Sequence, residues 1–482
     1  MTKRIVGPFN RVEGDLEVHL DIEDDHVKSA RVNSPLFRGF EQILQGKDPM
    51  DALVYAPRIC GICSVSQSVA AAYALAKAQG VTMPENGELA TNLILANENI
   101  ADHFTHFYLF FMPDFAREVY AQESWYESVT KRFKAVTGTA SKDALPARTE
   151  FLHIMGILAG KWPHSLAIQP GGTTRAIEAQ ERVRIAAILA QFRRYLETTL
   201  FGDQLETIIA LKDNDQLKAW ANEAPAETSD FRLFLHIADS LDLDKLGRSV
   251  DSFMSYGVYS RDGSQLFNRG LWKDGIHALN IEDITEDLSH SWMSGNDEPQ
   301  HPYTGITMPD INIVEAYSWC KAPRLDGQVV EVGALARQQV NGHPLIRALV
   351  EESGGNVRNR VIARLLEIAL VLVEMENWCR HLKPKEIFCN HAVMPEVTQG
   401  YGLVEAARGS LGHWLTVKQE RINNYQIIAP TTWNFSPRDS NGIPGALEQA
   451  LVNAPVRNGE KDPVSVQHIV RSFDPCMVCT VH

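Results

Sequence analysis

The chain has 482 residues, enough to bury a large core, and a net charge of −14 at pH 7. This acidic balance argues against nucleic acid as a partner, because nucleic acid attracts basic surfaces. No apolar run reaches the roughly 20 residues that cross a bilayer, and the N-terminus lacks the apolar segment of a signal peptide, so we expect no direct membrane span and a cytoplasmic location. The seven cysteines would stay reduced there, which favours metal binding or catalysis over disulfides.

The pattern of apolar residues predicts an N-terminal β segment over residues 1–35 and a mainly helical body after it. In DLEVHLDIEDDHVKSARV apolar and polar residues alternate, with Leu16, Val18, Leu20 and Ile22 on one face, which is typical of a strand, and EDDH is suited to the turn to a second strand. Residues 255–345 contain more glycine, proline and short β-like runs. Helical periodicity occurs in four stretches, over residues 50–80, 88–112, 174–212 and 357–382.

These elements indicate an α+β fold that is mainly helical, with long central helices and small peripheral sheets. No stretch is long enough or polar enough to act as a linker. We therefore expect one intertwined domain over residues 1–482, whose ends meet if the cysteine motifs of the two ends share a site.

Two Cys-x-x-Cys pairs lie near opposite ends of the chain, Cys60 and Cys63 in RICGIC and Cys476 and Cys479 in DPCMVCTVH. A two-residue spacing lets both thiolates reach one metal, and four soft ligands suit zinc, iron–sulfur clusters, copper(I) or nickel. A structural zinc site is the ordinary interpretation. However, zinc ribbons keep their pairs within tens of residues, whereas these pairs bracket almost the whole chain.

The two pairs resemble the signature motifs of nickel–iron hydrogenase large subunits. The similarity runs from end to end and includes, in order, RVEGD, FRGFE, KAPRLDG, EVGALAR, EAARGSLGHW, NYQIIAPTTWNFSPRD and VRSFDPC. It implies the hydrogenase large-subunit fold and an enzyme that cleaves dihydrogen heterolytically to protons and electrons. The related quinone-site subunit of complex I is the alternative of the same ancestry, but it lacks the metal-binding cysteines.

The resemblance implies that Cys60, Cys63, Cys476 and Cys479 bind nickel, in an active site assembled from residues 58–67 and 474–482. Cys63 and Cys479 would also bind an iron that carries cyanide and carbonyl. Dihydrogen carries no charge that a protein could bind, so its heterolytic cleavage needs a Lewis-acidic centre for the hydride and a nearby base for the proton. The resemblance implies that the Cys476 thiolate is this base. Iron–sulfur clusters would belong to a small partner subunit, in a heterodimer or a dimer of heterodimers.

The resemblance also assigns residues around the metals. Glu13 in RVEG matches the proton-relay carboxylate, and burial beside thiolates should raise its pKa. Arg408 is expected over the open side of the nickel and iron, held by charge-assisted hydrogen bonds to Asp102 and Asp474. Ala407 stands where the family usually has proline, which would loosen this part of the site.

A magnesium site is implied close to the cluster. Its protein ligands would be the Glu41 carboxylate, the backbone carbonyl of Ile427 and His482, with Lys321 beside them. Magnesium prefers oxygen ligands, which makes a histidine ligand unusual.

Three departures from the common pattern indicate a hydrogen-sensing, regulatory member of the family. Gln67 stands where a histidine usually follows the first motif, and a glutamine is similar to what sensing members carry. Ile62 and Phe110 add bulk at gas-channel positions where many members have valine and leucine. We therefore expect a sensor that signals to a partner, typically a histidine kinase; an uptake hydrogenase and a non-catalytic zinc protein are the alternatives.

Overall fold

The computed structural model of the chain describes residues 2–457 and 459–482. The α-helices are α1 Phe40–Leu44, α2 Ala52–Tyr55, α3 Ser64–Gln79, α4 Glu85–Thr105, α5 Tyr126–Phe133, α6 Ala140–Ala159, α7 Ala179–Tyr195, α8 Leu205–Ile209, α9 Asn214–Asn222, α10 Asp230–Ser240, α11 Ala334–Asn341, α12 Pro344–Ser353, α13 Val357–His381, α14 Pro430–Asn434, α15 Ala446–Ala450, α16 Val464–Ser472 and α17 Met477–Thr480. The strands are β1 Thr2–Val6, β2 Glu17–Glu23, β3 His26–Asn33, β4 Ile168–Gln169, β5 Gly172–Thr173, β6 Phe253–Arg261, β7 Ser264–Trp272, β8 Ile276–His277, β9 Ile284–Asp287, β10 Met293–Ser294, β11 Met308–Pro309, β12 Ala322–Leu325, β13 Thr398–Ala406, β14 Gly409–Lys418 and β15 Arg421–Ile428.

Small antiparallel sheets surround the helices, which confirms the predicted α+β class with a mainly helical body. The larger sheets have the strand orders β1-β2-β3, β6-β7-β8 and β13-β14-β15. The two strands predicted from the alternating pattern are β2 and β3, and their apolar positions Val18, Leu20 and Val32 are buried. Within the described residues, no helix is both long and apolar enough to cross a bilayer.

The helix α3, which begins directly after the first cysteine pair, is fixed by close packing against β13. Its face is lined by alanines, and β13 presents glycine to them. A Cβ atom at Gly402 would lie 1.9 Å from the carbonyl oxygen of Ala70, and one at Gly400 would lie 2.1 Å from that of Ala74. Only glycine permits this approach, so the sheet sets the position of α3 and of the motif before it.

The stretch 50–80 has helical periodicity, and the structure divides it at the first motif. A short 3-10 turn, Ala56–Arg58, ends before Cys60, and α3 starts at Ser64. Pro57 and Gly61 both disfavour a continuous helix here. The stretch 174–212 likewise divides into α7, a π-helical turn and α8, whereas 357–382 forms α13 as predicted.

The two ends of the chain meet. β3 contacts the segment after α15, where the Val27 amide donates to the Ala454 carbonyl over 3.0 Å. Glu13 forms an isolated parallel β-bridge with Cys476. The side chain of His482 is only about 3% exposed, so this terminus is packed inside the protein.

Candidate metal centre

Four buried thiols form one cluster where the two cysteine motifs meet. The Sγ atoms of Cys63 and Cys479 are 3.0 Å apart, those of Cys476 and Cys479 are 3.2 Å apart, and those of Cys60 and Cys476 are 3.4 Å apart. All four lie within 4.8 Å of one another. This compact set of soft donors fits a thiophilic metal or a pair of metals.

Crowding couples the ionisation of these thiols. Hydrogen bonds from the other cysteines, Cys476 first, lower the pKa of Cys60 well below its ordinary value. Hydrogen bonding with Cys476 and burial raise the pKa of Cys63, and burial is the main cause that raises the pKa values of Cys476 and Cys479. A metal cation bound among them would instead favour the thiolate form.

The second motif is held in place by the backbone of Glu13. The Met477 amide donates to the Glu13 carbonyl over 2.7 Å, and the Glu13 amide donates to the Pro475 carbonyl over 3.4 Å. The Cys476 amide donates to the hydroxyl of Thr431 over 3.0 Å. A residue predicted as a proton relay is therefore attached directly to the loop of a predicted metal ligand.

The carboxyl group of Glu13 is half-buried beside the cluster. Burial raises its pKa, the charge of Cys60 raises it further, and the charge of Arg408 lowers it. The direction is the one predicted from the sequence, and it suits a carboxyl that alternately takes and releases a proton.

Arg408 is buried between Asp102 and Asp474. Its Nη1 lies 2.6 Å from Asp102 Oδ2, its Nη2 lies 3.1 Å from Asp474 Oδ1, and its Nε donates to the Asp474 carbonyl over 2.9 Å. Burial opposes ionisation of Asp474, but the charge of Arg408 outweighs it and the pKa is lowered. The sequence predicted this trio.

The turn that carries Arg408 is held by Arg337, which sequence reasoning did not single out. Arg337 donates to the carbonyls of Ala406 and Ala407 over 2.9 and 3.1 Å. Its charge is balanced by Glu367 and Glu405. Hydrogen bonds from a buried side chain thus restrain the turn in which alanine replaces the usual proline.

Glu41 is the centre of a buried polar cluster beside the thiols. Its Oε1 accepts hydrogen bonds from Lys321 Nζ over 2.8 Å and from the Ile427 amide over 2.9 Å, and lies 3.2 Å from His482 Nε2. Burial raises the pKa of Glu41, but Lys321 and His482 outweigh burial and lower it. Lys321 also bonds Glu286 over 2.9 Å, an acid that the sequence analysis missed.

The structure thus brings Glu41, Lys321, Ile427 and His482 together as the sequence predicted. Ile427 contributes its amide to the observed contacts, and the use of its carbonyl as a ligand stays a prediction. The carboxylate oxygens and the imidazole fit a hard cation. Lys321 contacts both Glu41 and Glu286, so one lysine balances only one of the two carboxylate charges.

Gln67 lies inside the site, between Cys479 and His413. Its Nε2 is 3.9 Å from Cys479 Sγ, and its Oε1 is 2.8 Å from His413 Nε2. His413 had no role in the sequence analysis, although it lies in the quoted stretch EAARGSLGHW.

The two predicted gas-channel residues differ in their surroundings. Ile62 lies between the cysteines of the first motif, half-buried and packed against the core. Phe110 is half-buried in the π-helical turn His106–Phe111. Their channel roles stay predictions.

Arg38 joins the two motif loops, and no role was predicted for it. Its guanidinium donates to the carbonyl of Ile59, just before the first pair, and to that of Val478, inside the second. Its amide also donates to the Val481 carbonyl over 3.1 Å. Arg38 stands in the quoted stretch FRGFE, which was the only sequence signal available for it.

Together these features define a class of protein: one whose buried thiols, contributed by both ends of the chain, can hold a thiophilic metal. The sequence pattern of one family, described as nickel-dependent hydrogenase, matches residues 38–142 and 120–482. The chain belongs to the nickel-dependent hydrogenase family, as a large subunit. It is therefore a hydrogenase, an oxidoreductase whose substrate is dihydrogen, and its large-subunit homologues function with a small subunit.

The chain is similar to known hydrogenases in both sequence and structure. The large subunit of the periplasmic NiFeSe hydrogenase of Desulfomicrobium baculatum is 28% identical over 519 residues, which cover 99% of this chain and 94% of the relative. The large chain of hydrogenase-1 of Escherichia coli K12 is 26% identical over 590 residues, with coverage of 99% and 94%. The oxidised NiFeSe hydrogenase of D. vulgaris Hildenborough superposes with a TM-score of 0.86 at 28% identity, over 100% of both chains.

Proposed function

We propose that this large subunit holds a nickel–iron centre on its four buried cysteines, with cyanide and carbonyl on the iron, and acts as a hydrogen sensor. The support is the thiol cluster itself, in which Cys63 and Cys479 have the shortest Sγ–Sγ separation, 3.0 Å. The resemblance implies that these two cysteines would hold the iron as well as the nickel. When bound, the metal pair supplies a Lewis-acidic centre that polarises dihydrogen.

The residues of this chain would supply the proton-accepting side of the reaction. Cys476 Sγ takes the first proton, and Glu13 takes it next, since its backbone is bridged to Cys476 and its pKa is raised. Arg408 holds positive charge beside the thiolates without releasing a proton, because a guanidinium stays protonated and Asp474, whose pKa is lowered, balances its charge.

The sensor role is supported by Gln67. A glutamine amide donates and accepts hydrogen bonds but takes up no proton, so the neighbourhood of Cys479 lacks the second base that an imidazole would provide there. Slow turnover suits a protein that reports hydrogen to a signalling partner, for which we propose a histidine kinase in the cytoplasm.

An energy-conserving uptake hydrogenase is the second candidate, and the relatives favour it. The protein named uptake hydrogenase large subunit of Afipia carboxidovorans is 26% identical over 589 residues, which cover 99% of this chain and 94% of the relative. The candidates differ in turnover and in partner, not in the metal centre.

We propose magnesium as the cation beside the centre. The support is the buried contact between Glu41 Oε1 and His482 Nε2, 3.2 Å apart, which are the two side-chain atoms expected to bind the ion; Lys321, itself a cation, would stay outside the ligand set. A cation there would tie the terminal residue to α1, which carries Glu41.

Infrared spectroscopy of the purified heterodimer tests the proposal. Iron-bound cyanide and carbonyl absorb in a window where polypeptide is silent, and elemental analysis of the same sample measures nickel, iron, magnesium and zinc. Absence of the bands, with zinc as the main metal, would overturn the nickel–iron centre. A fast dye-coupled hydrogen oxidation with no kinase copurifying would replace the sensor by the uptake enzyme.

A further inference from the structure

The helix that follows the first cysteine pair starts without a cap of its own. Cys63 is the N-cap residue of α3, and its side chain makes no capping hydrogen bond. A good N-cap is a small oxygen-bearing side chain that accepts from the second and third amides of the helix. A cysteine reserved for a metal does not fill that role, so these amides need another acceptor.

Glu98 supplies the missing acceptor from the neighbouring helix α4. Its Oε2 accepts from the Val65 amide and its Oε1 from the Ser66 amide, each over 2.9 Å. The Ser66 hydroxyl donates to Oε1 over 3.1 Å, and the Trp162 indole donates to Oε2 over 2.9 Å. Both oxygens are thus used by the start of α3 and by the Trp162 indole.

The carboxyl group of Glu98 is shielded from solvent. Glu98 is only about 2% exposed, and burial of an acid in such a position is costly unless its oxygens are hydrogen-bonded. Because its partners are the first turn of α3 and one indole, Glu98 serves to hold the start of this helix.

The same helix also holds the other side of the site. Asp102 lies one turn after Glu98 on α4 and bonds Arg408 over 2.6 Å. α4 therefore positions both the first cysteine pair and the arginine beside it. A shift in the first turn of α3 would move Cys63 relative to Cys479 and to Arg408.

We propose that Glu98 is a positioning residue that caps α3 in place of Cys63 and so fixes the first cysteine pair against the second. The inference rests on the proposed nickel–iron centre only for its spectroscopic consequence, since the capping is independent of the metal. The sequence does not indicate this role, because Glu98 is 33 residues from Val65 and lies in an ordinary helical pattern.

Glu98→Gln in the holo heterodimer is the test, because a glutamine keeps the size and loses one acceptor. We expect hydrogen exchange at the amides of Val65 and Ser66 to become about tenfold faster, as loss of a cap allows. We also expect the infrared bands of the centre to shift and broaden, and nickel to be lost faster to a chelator.

The matched control is Glu448→Gln. Glu448 is an equally buried acid that accepts from a backbone amide, that of Val32 over 2.9 Å, and from the hydroxyl of Tyr317 over 2.8 Å. This variant should speed exchange at Val32 and leave the infrared bands and the exchange of Val65 as in the unmodified protein.

Unchanged exchange at Val65 and Ser66 in Glu98→Gln would overturn the capping role. Faster exchange with unchanged infrared bands would overturn its link to the cysteines. An unmodified protein without those bands would refute the proposed centre, while the exchange experiment still decides the capping. Should the glutamine variant not assemble, Glu98→Asp keeps the charge, shortens the reach and allows the same comparison.

Discussion

Gln67 Oε1 lies 2.8 Å from His413 Nε2, and this contact fixes the direction in which the Gln67 amide faces. Burial lowers the pKa of His413 to about 3, so its ring is neutral at physiological pH. The Tyr425 hydroxyl lies 2.8 Å from the other ring nitrogen. A tyrosine that donates to Nδ1 leaves Nε2–H to donate to Gln67, and the Gln67 –NH2 then points to Cys479 Sγ, 3.9 Å away.

Gln67→Leu should therefore change the electronic state of the centre and not its assembly. The variant removes a donor aimed at Cys479, which leaves more negative charge on that sulfur. We expect the infrared bands of the centre to move to lower wavenumber at unchanged nickel content. Tyr425→Phe is a second test, because it removes the hydroxyl that sets the His413 tautomer and should therefore shift the same bands. Equal spectra for Gln67→Leu and the unmodified protein would contradict this orientation of the Gln67 amide.

Glu448 gives a prediction about stability and pH. Burial raises the pKa of Glu448 from its ordinary 4.5 to about 7. The folded state therefore keeps its proton between those values while the unfolded state loses it, so stability falls as pH rises through this window. The loss is about 1.4 kcal/mol per pH unit, or roughly 3 kcal/mol in all.

The matching measurement compares melting temperatures at pH 5 and pH 7.5. Other buried acids, such as Glu98, respond to pH in the same direction, so the informative quantity is the difference between the unmodified protein and Glu448→Gln. The drop in melting temperature between the two pH values should be smaller in the variant. Equal drops would mean that Glu448 ionises in the folded state as it does in the unfolded state.

The bulk of Ile62 and Phe110 leads to a prediction about oxygen: if both side chains narrow the gas path, oxygen is excluded while dihydrogen passes. Ile62 is packed beside the thiols, and Phe110 occupies a π-helical turn of the helix that also contains Asp102. Removal of a methyl group and of a ring should widen the path for gas. Ile62→Val with Phe110→Leu should make hydrogen oxidation sensitive to oxygen, measured as the activity that remains after exposure to air; each single variant shows which position matters, and unchanged tolerance of the double variant would contradict the channel role.

The sequence allowed prediction of the residues that stand in motifs. Cys60, Cys476, Glu13 and Arg408 occupy fixed positions in short signatures, so their meeting could be inferred although the first two are 416 residues apart. The β2–β3 hairpin and α13 were predictable from local periodicity because their apolar faces pack on one core.

The supporting residues could not be predicted, for a physical reason. Glu98, Arg337 and Arg38 form hydrogen bonds with backbone amides and carbonyls. Every residue type has these backbone groups, so the sequence of the contacted segment does not reveal the contact. Only the packing of α4, of α11 and of the segment before α1 shows which turns these side chains reach. Periodicity alone does not locate the division of the helical stretch at the first motif, because the alanine-rich pattern of α3 continues the pattern that precedes it.

Glu13→Gln tests the path of the proton separately from the cleavage of dihydrogen. Both hydrogen bonds that Glu13 makes to the second motif use its backbone, so the substitution should leave the four-thiol cluster intact. The amide accepts no proton, and removal of a general acid–base group typically costs a factor of about a hundred or more in rate. We expect hydrogen oxidation and deuterium exchange with solvent to fall by that factor.

The infrared bands and nickel content should meanwhile match those of the unmodified protein. Glu17→Gln is the control, because Glu17 stands on β2 and bonds Asn33 away from the cysteines. If Glu13→Gln exchanged deuterium at the normal rate, the proton would have to leave Cys476 by another group. Arg408 is a poor candidate, because Asp102 and Asp474 raise its pKa and keep it charged, so such a result would direct attention to the thiols themselves.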